Sequence, residues 1–224
     1  MTITQNFLVL GFLGFIMLVN WVSAAALWMK VYYPTKVLAI LTLLFFFYTQ
    51  GGAEPHRLVF LVGLAFSAVG DFFLVFREKR WFMAGLGAFF ITQLCYIVGF
   101  NQNPLTPTPL VAGVAIAFAV ALRYFSYIDK KVSEKPEFQK GRNLFKTYAV
   151  AVILMATSAV FCLFRPGWYG ITRWMVALGG VLFLVSDTLI GLERLGNRIP
   201  AVRFWIIFTY HLAQFLIVMA VASN

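Results

Sequence analysis

Long apolar runs, broken at short intervals by clusters of charge, proline and glycine, dominate this chain. Crossing a bilayer takes about 20 apolar residues, with roughly 17–25 tolerated. Eight runs meet that length: residues 7–29, 37–53, 58–76, 81–100, 110–127, 147–164, 174–192 and 204–223. They predict an all-α membrane protein of eight transmembrane helices, forming one polytopic domain over residues 1–224. No basic residue precedes the first run, which therefore reads as a span and not as a cleaved signal peptide. Gly51 and Gly52 end the second run early. Arg123 falls in the last turn of the fifth, where its side chain can snorkel to the interface.

Basic residues alternate with these runs. Counted by connection, 15 lysines and arginines fall in the first, third, fifth and seventh, and 3 (Arg57, Arg165, Arg173) on the opposite side. Cytoplasmic loops carry the excess of Lys and Arg, so the odd connections are expected in the cytoplasm and both termini on the non-cytoplasmic side. A mixed-charge cytoplasmic loop is expected over 129–142. All eight prolines fall outside the runs or at their ends. Transporters with helices broken at mid-membrane carry Gly or Pro interruptions there.

Composition supports the membrane reading. The chain is 62% hydrophobic and 12% charged, against about 25% charged in a soluble domain. That excludes a soluble globular protein, and disorder with it. A net charge of +10 would suggest nucleic acid in a soluble protein. Here it follows from basic loops on one membrane side, and no nucleic-acid partner is expected. Cys95 and Cys162 have neither paired spacing nor a zinc pattern.

Two acidic residues lie well inside the runs, Asp71 and Asp187. Each stands five residues before the cytoplasmic end of its run, roughly 7–8 Å deep at 1.5 Å per residue. Aspartate at the centre of a span costs about 2.5–3.5 kcal/mol on insertion scales. Such residues face the bundle interior and are functional by default. Their surroundings also pair up. Lys36 opens the second run and Lys146 the sixth; Gln93 lies in the fourth and Gln214 in the eighth. This pattern suggests two parallel four-helix halves. Asn20, Ser67, Tyr96, Tyr148, Ser186, Tyr210 and His211 are further polar residues within the runs. Ser67 shares a helix face with Asp71, and Tyr210 with Gln214, each at i, i+4.

Several chemistries are excluded. Two histidines and no paired cysteines cannot supply the three ligands of a zinc hydrolase. No G-x-S-x-G elbow and no phosphate-binding glycine loop is placed between a strand and a helix. A pair of carboxylates in a cavity open to the cytoplasmic leaflet remains. Two carboxylates in one site do not both ionise easily, which leaves one neutral acid and one anion.

The segments SAVGDFFLVF, FFITQLCYIVGF, GGVLFLVSDTLIG and TYHLAQFLI resemble the YhhN family of eight-span membrane proteins, over nearly the whole chain. The segment YPTKVLAI resembles the family's Lys-Pro motif, with Val37 in place of the proline. Gln93 stands where the family often has histidine, which puts more of the proton transfer on the aspartates. Characterised members are lysoplasmalogenases, which cleave the sn-1 vinyl ether of a lysoplasmalogen. The products are a fatty aldehyde and glycerophosphoethanolamine or glycerophosphocholine.

The resemblance implies a lysophospholipid substrate, no cofactor and no metal. It implies the cytoplasmic membrane in a bacterium or the endoplasmic reticulum in a eukaryote. Asp71 and Asp187 are then the catalytic pair. Tyr210 and Gln93 would orient water or the substrate oxygen. Lys36, with Arg80 or Lys146, would hold the phosphate. Tyr96, Tyr148, Ser186, Gln214 and Asn20 would line the substrate site. A proton- or ion-coupled transporter would use the same aspartates, but it needs polar residues in the outer halves of the third and seventh runs. Those halves are apolar.

Overall fold

A computed structural model describes residues 3–76, 78–105, 107–133 and 142–224. Among them the regular structure is helical, in eight helices: α1 (Ile3–Ala25), α2 (Met29–Phe47), α3 (Leu58–Phe73), α4 (Lys79–Phe100), α5 (Pro107–Ser133), α6 (Arg142–Phe161), α7 (Thr172–Arg194) and α8 (Val202–Ser223). Seven segments are long and apolar enough to cross a membrane, one of them α2 continued to Gly52; α3, at 16 residues, is the shorter apolar helix. All backbone groups must be satisfied inside a lipid-facing segment, and helices do so internally. Large apolar side chains, among them Phe7, Phe15, Val111, Ile116 and Phe118, point outward. Facing lipid, they need no partner.

Several boundaries differ from those expected. The second helix starts at Met29, eight residues before Val37, and Pro34 lies inside it rather than before it. Proline removes one backbone donor from a helix. Side chains serve the carbonyls beside it: Thr35 Oγ1 donates to Val31 O at 2.6 Å, and Asn20 Nδ2 donates to Tyr32 O at 2.7 Å. The end of α2 widens into a π-helical turn, Tyr48–Gly52, and breaks at Gly51, whose φ of 84° is left-handed. Helix α3 stops at Phe73, not at Phe76, and leaves through tight turn bonds such as Phe76 N to Phe73 O. Asp71 is therefore two residues from its helix end, whereas Asp187 is seven from the end of α7. The expected loop over 129–142 begins as helix, since α5 runs to Ser133. Residues 134–141 and Arg77, also expected in basic loops, lie outside the described residues.

Sequential helices pack as neighbours: α1 with α2, α3 with α4, α5 with α6, and α7 with α8. Helix α2 also packs on α3, and α6 on α7. The two groups meet where α4 packs on α6, where α2 packs on α8, and where α1 packs on α8, the last without a counterpart between α5 and α4. Each contact of α2, α3 and α4 thus has a counterpart in α6, α7 and α8. Small residues make the α3–α4 contact close. A Cβ added at Gly63 would lie 2.7 Å from the Tyr96 ring, and one at Gly70 would lie 2.7 Å from the Phe89 ring. Gly, Ala, Ser and Thr at helix interfaces allow such approach in membranes.

Candidate active site

Helix α3 turns Gly63, Ser67, Gly70 and Asp71 inward, a set spaced at i, i+4 and i+7–8 that forms one helical face. The Asp71 carboxylate is fully buried. Lys36 Nζ, from α2, lies 2.9 Å from Asp71 Oδ1. The Tyr210 hydroxyl, from α8, donates to Asp71 Oδ2 at 2.8 Å. An ion pair with one added donor satisfies a buried charge.

Asp187, half-buried on α7, has a cluster of its own. The Tyr148 hydroxyl, from α6, donates to Oδ2 at 2.7 Å, and Gln93 Nε2, from α4, approaches the same oxygen at 3.4 Å. The two clusters occupy corresponding helices. Asp71 on α3 is served from α2 and α8; Asp187 on α7 is served from α6 and α4. One carboxylate thus receives an ammonium and a phenol, the other a phenol and an amide.

Two cavities adjoin the clusters. The larger, about 750 Å³, is lined by the ends of α3 and α7 and the starts of α2, α4, α6 and α8. Lys36, Lys79, Arg194, Arg203 and Glu193 are its charged lining. The smaller, about 190 Å³, runs between α4, α5, α6 and α7 and is mostly apolar, with Leu86, Val120, Val152 and Ile153 in its wall. Asp187, Tyr148, Tyr124, Thr188 and Arg194 are its polar lining. Phe82, Phe145, Ile190 and Arg194 line both cavities, so the two share a boundary. Asp187, Gly191 and Arg194 follow one another at i, i+4 and i+7 along the α7 face that lines the smaller cavity.

The other expected site residues fall into three groups. Tyr96, Gln214 and Ser67 form a buried chain: the Tyr96 hydroxyl donates to Gln214 Oε1 at 2.7 Å, and Gln214 Nε2 donates to Ser67 Oγ at 2.8 Å. This chain ties α3, α4 and α8 together behind the carboxylates. Ser186 and Asn20 hold backbone, Ser186 Oγ donating to Ile206 O at 3.0 Å and Asn20 acting beside Pro34. Arg80 stands apart from both cavities. Its side chain is exposed, pairs with Glu78 at 2.7 Å and lies over the Trp81 ring. His211 is fully buried beside Trp21 and Tyr210, with neither ring nitrogen hydrogen-bonded among the described residues.

A family model described as the YhhN family matches residues 31–221. The chain belongs to the YhhN family. The YhhN match holds every residue of both carboxylate clusters and most of α2 through α8. Human lysoplasmalogenase TMEM86A is 29% identical over 184 residues, covering 77% of this chain and 68% of that protein. A Mycobacterium bovis lysoplasmalogenase is 34% identical over 169 residues, covering 74% of this chain and 60% of its own. Pig lysoplasmalogenase TMEM86B is 28% identical over 192 residues, covering 84% and 74%. The chain thus spans about two thirds of the length of these curated relatives. No solved structure matches it.

Sequence reasoning assigned no site role to Arg194, Arg203, Lys79 or Glu193 in this YhhN chain. Basic residues at a helix end read as interface anchors. The seven-residue spacing from Asp187 to Arg194 was the available signal, since it places both on one helix face.

Proposed function

We propose that this chain is a membrane-embedded lysoplasmalogenase, hydrolysing the sn-1 vinyl ether of a lysophospholipid to a fatty aldehyde and a glycerophospho-headgroup. One observation carries the reading: a half-buried carboxyl, Asp187, lines an apolar cavity that adjoins a cationic one at Arg194. The alkenyl chain fits the apolar cavity and the headgroup the charged one. Arg194 stands two turns beyond Asp187, about 10 Å along the axis. A glycerol unit and two reaching side chains bridge that separation. Arg194, Arg203 and Lys79 supply the charge for the phosphate. The basic-residue split puts this mouth at the cytoplasmic face and both termini on the other side.

Asp187 is the acid. Its two donors converge on Oδ2, so Oδ1 carries the proton. That proton passes to the β-carbon of the vinyl ether, leaving an oxocarbenium ion against the new carboxylate. Tyr148 and Gln93 hold the carboxylate in place. Water adds to the cationic carbon while Asp187 takes its proton, forming a hemiacetal. Asp187 then gives that proton to the ether oxygen as its other carboxyl oxygen takes the proton of the hemiacetal hydroxyl, so aldehyde and alcohol separate and the acid is restored. Gln93 Oε1 is buried and has no partner among the described residues; it accepts a hydrogen bond from the attacking water. Asp71 is sealed from both cavities by its ion pair and acts through its field, not by contact. A positioned general acid contributes about 10²–10⁴-fold.

The test is aldehyde release by detergent-purified protein from lysoplasmenyl-ethanolamine and from its sn-1 acyl ester counterpart. Aldehyde from the vinyl ether alone, lost in folded Asp187→Asn, is the expected result. Failure of well-folded wild-type protein to turn over the vinyl ether sinks the assignment and favours an ion-coupled transporter.

A further inference from the structure

The larger cavity contains one side chain that a phosphate site does not need. Its charged lining is Lys36, Lys79, Arg194, Arg203 and Glu193. Lys36 is committed to Asp71. Glu193 is then the single carboxylate among the described residues that line this cavity. A carboxylate among three cations repels a phosphate, and its position is unfavourable in two further ways. It stands in the last turn of α7, where the helix dipole disfavours negative charge. Its ion pair with Arg203 spans 3.9 Å between half-exposed side chains, and such pairs contribute little.

The cavity that Glu193 lines also has aromatic walls. Tyr32 and Tyr33 line the same space, their rings edge-to-face at 5.3 Å. A carboxylate beside tyrosine rings is the chemistry that receives an ammonium group. Arg194 lies over the Phe82 ring at 4.1 Å and faces the boundary with the apolar cavity. Arg194 thus stands at the junction with the apolar cavity, whereas Glu193, Tyr32, Tyr33 and Arg203 line the larger cavity alone. Its volume of about 750 Å³ falls in the usual range for sites holding a whole ligand.

We propose that Glu193, backed by Tyr32 and Tyr33, is the specificity determinant for the headgroup, selecting ligands that carry an ammonium beyond the phosphate over those ending in the phosphate itself. This rests on the lysophospholipid reading for what fills the apolar cavity. It does not rest on the chemistry at Asp187.

The test uses ligands that cannot be cleaved. Binding of 1-O-alkyl-glycerophosphoethanolamine and of 1-O-alkyl-glycerophosphate is measured on purified full-length wild-type protein, Glu193→Gln and Arg194→Gln, each checked for unchanged thermal unfolding. A hydrogen-bonded charge pair contributes enough that Glu193→Gln weakens the ethanolamine ligand by about tenfold. The same variant leaves the phosphate ligand unchanged or tightens it, and Arg194→Gln weakens both. The proposal is overturned if Glu193→Gln shifts the two ligands alike, if it shifts neither, or if wild-type protein does not prefer the ethanolamine ligand. Ligand discrimination by a protein that releases no aldehyde would refute the hydrolase reading and leave the headgroup assignment standing.

Discussion

Removing the Lys36 ammonium while keeping Asp71 isolates what that ion pair does. The pair is 2.9 Å long, with side chains 9% and 0% exposed. At that distance and an effective dielectric of about 20, the attraction is about 6 kcal/mol. Desolvation of the two ions offsets most of it, so the pair adds little net stability over an apolar replacement. Breaking it is another matter. Lys36→Met leaves a buried carboxylate facing one phenol, and an uncompensated buried charge destabilises by about 3–5 kcal/mol. At roughly 2–4 °C per kcal/mol for a chain of this size, the midpoint falls by on the order of 10 °C. Lys36→Met with Asp71→Asn removes both charges and keeps an acceptor for Tyr210, so its midpoint returns to near wild type. Thermal unfolding in detergent, followed by tryptophan fluorescence or aggregation, reads both values. Aldehyde release on the same samples separates stability from chemistry, with the restored double variant folding but turning over slowly. A single variant as stable as wild type, or a double variant less stable than the single, refutes the ion-pair reasoning. A double variant with wild-type turnover refutes the part assigned to the Asp71 charge.

Three other outcomes follow from the geometry. Tyr148→Phe removes the 2.7 Å bond to Asp187 and lowers kcat by roughly 10–100-fold, since a hydrogen bond to a charged group contributes about 1.5–3 kcal/mol; steady-state aldehyde release measures it. Ala149→Phe fills part of the 190 Å³ cavity and raises KM for long alkenyl chains while sparing short ones, as a chain-length series would show. Tyr96→Phe leaves Gln214 Oε1 without its 2.7 Å donor and destabilises the fold by about 1–3 kcal/mol, with kcat held near wild type when measured below the unfolding range.

The helical architecture was legible in the sequence because eight apolar runs separated by basic connections admit few other readings. The helix limits were less so, for non-local reasons. Pro34 argues for a boundary until Asn20 and Thr35 are seen serving the carbonyls beside it, and Asn20 comes from another helix. Hydropathy placed the two aspartates in the interior, but no pattern in the sequence said that Lys36 would spend its charge on Asp71. Tyr210, expected to orient water, is sealed against Asp71. Arg80, expected near the phosphate, is turned outward, while Arg194 and Arg203 line the larger cavity. Which way a basic residue at a helix end points is decided by the neighbouring helix, and that information is absent from a single sequence.

The helix-by-helix match between the two clusters bears on why the site takes this form. A framework in which α3 answers to α7, α2 to α6 and α8 to α4 supplies two equivalent carboxylates. Equivalence alone does no acid catalysis. Two lysine-paired aspartates would both be held as anions, and neither would have a proton to give. Two aspartates with only neutral donors would compete for charge in one buried region, since like charges at close range oppose each other. In the proposed mechanism, a phenol and an amide at Asp187, in place of the ammonium and phenol at Asp71, resolve the conflict. The Lys36–Asp71 pair fixes one negative and one positive charge behind the site. Asp187 is left free to release and recover a proton while remaining anchored by Tyr148. Only this second carboxylate reaches the apolar cavity, so the proton is delivered where the alkenyl chain lies and not into the ion-paired half of the bundle.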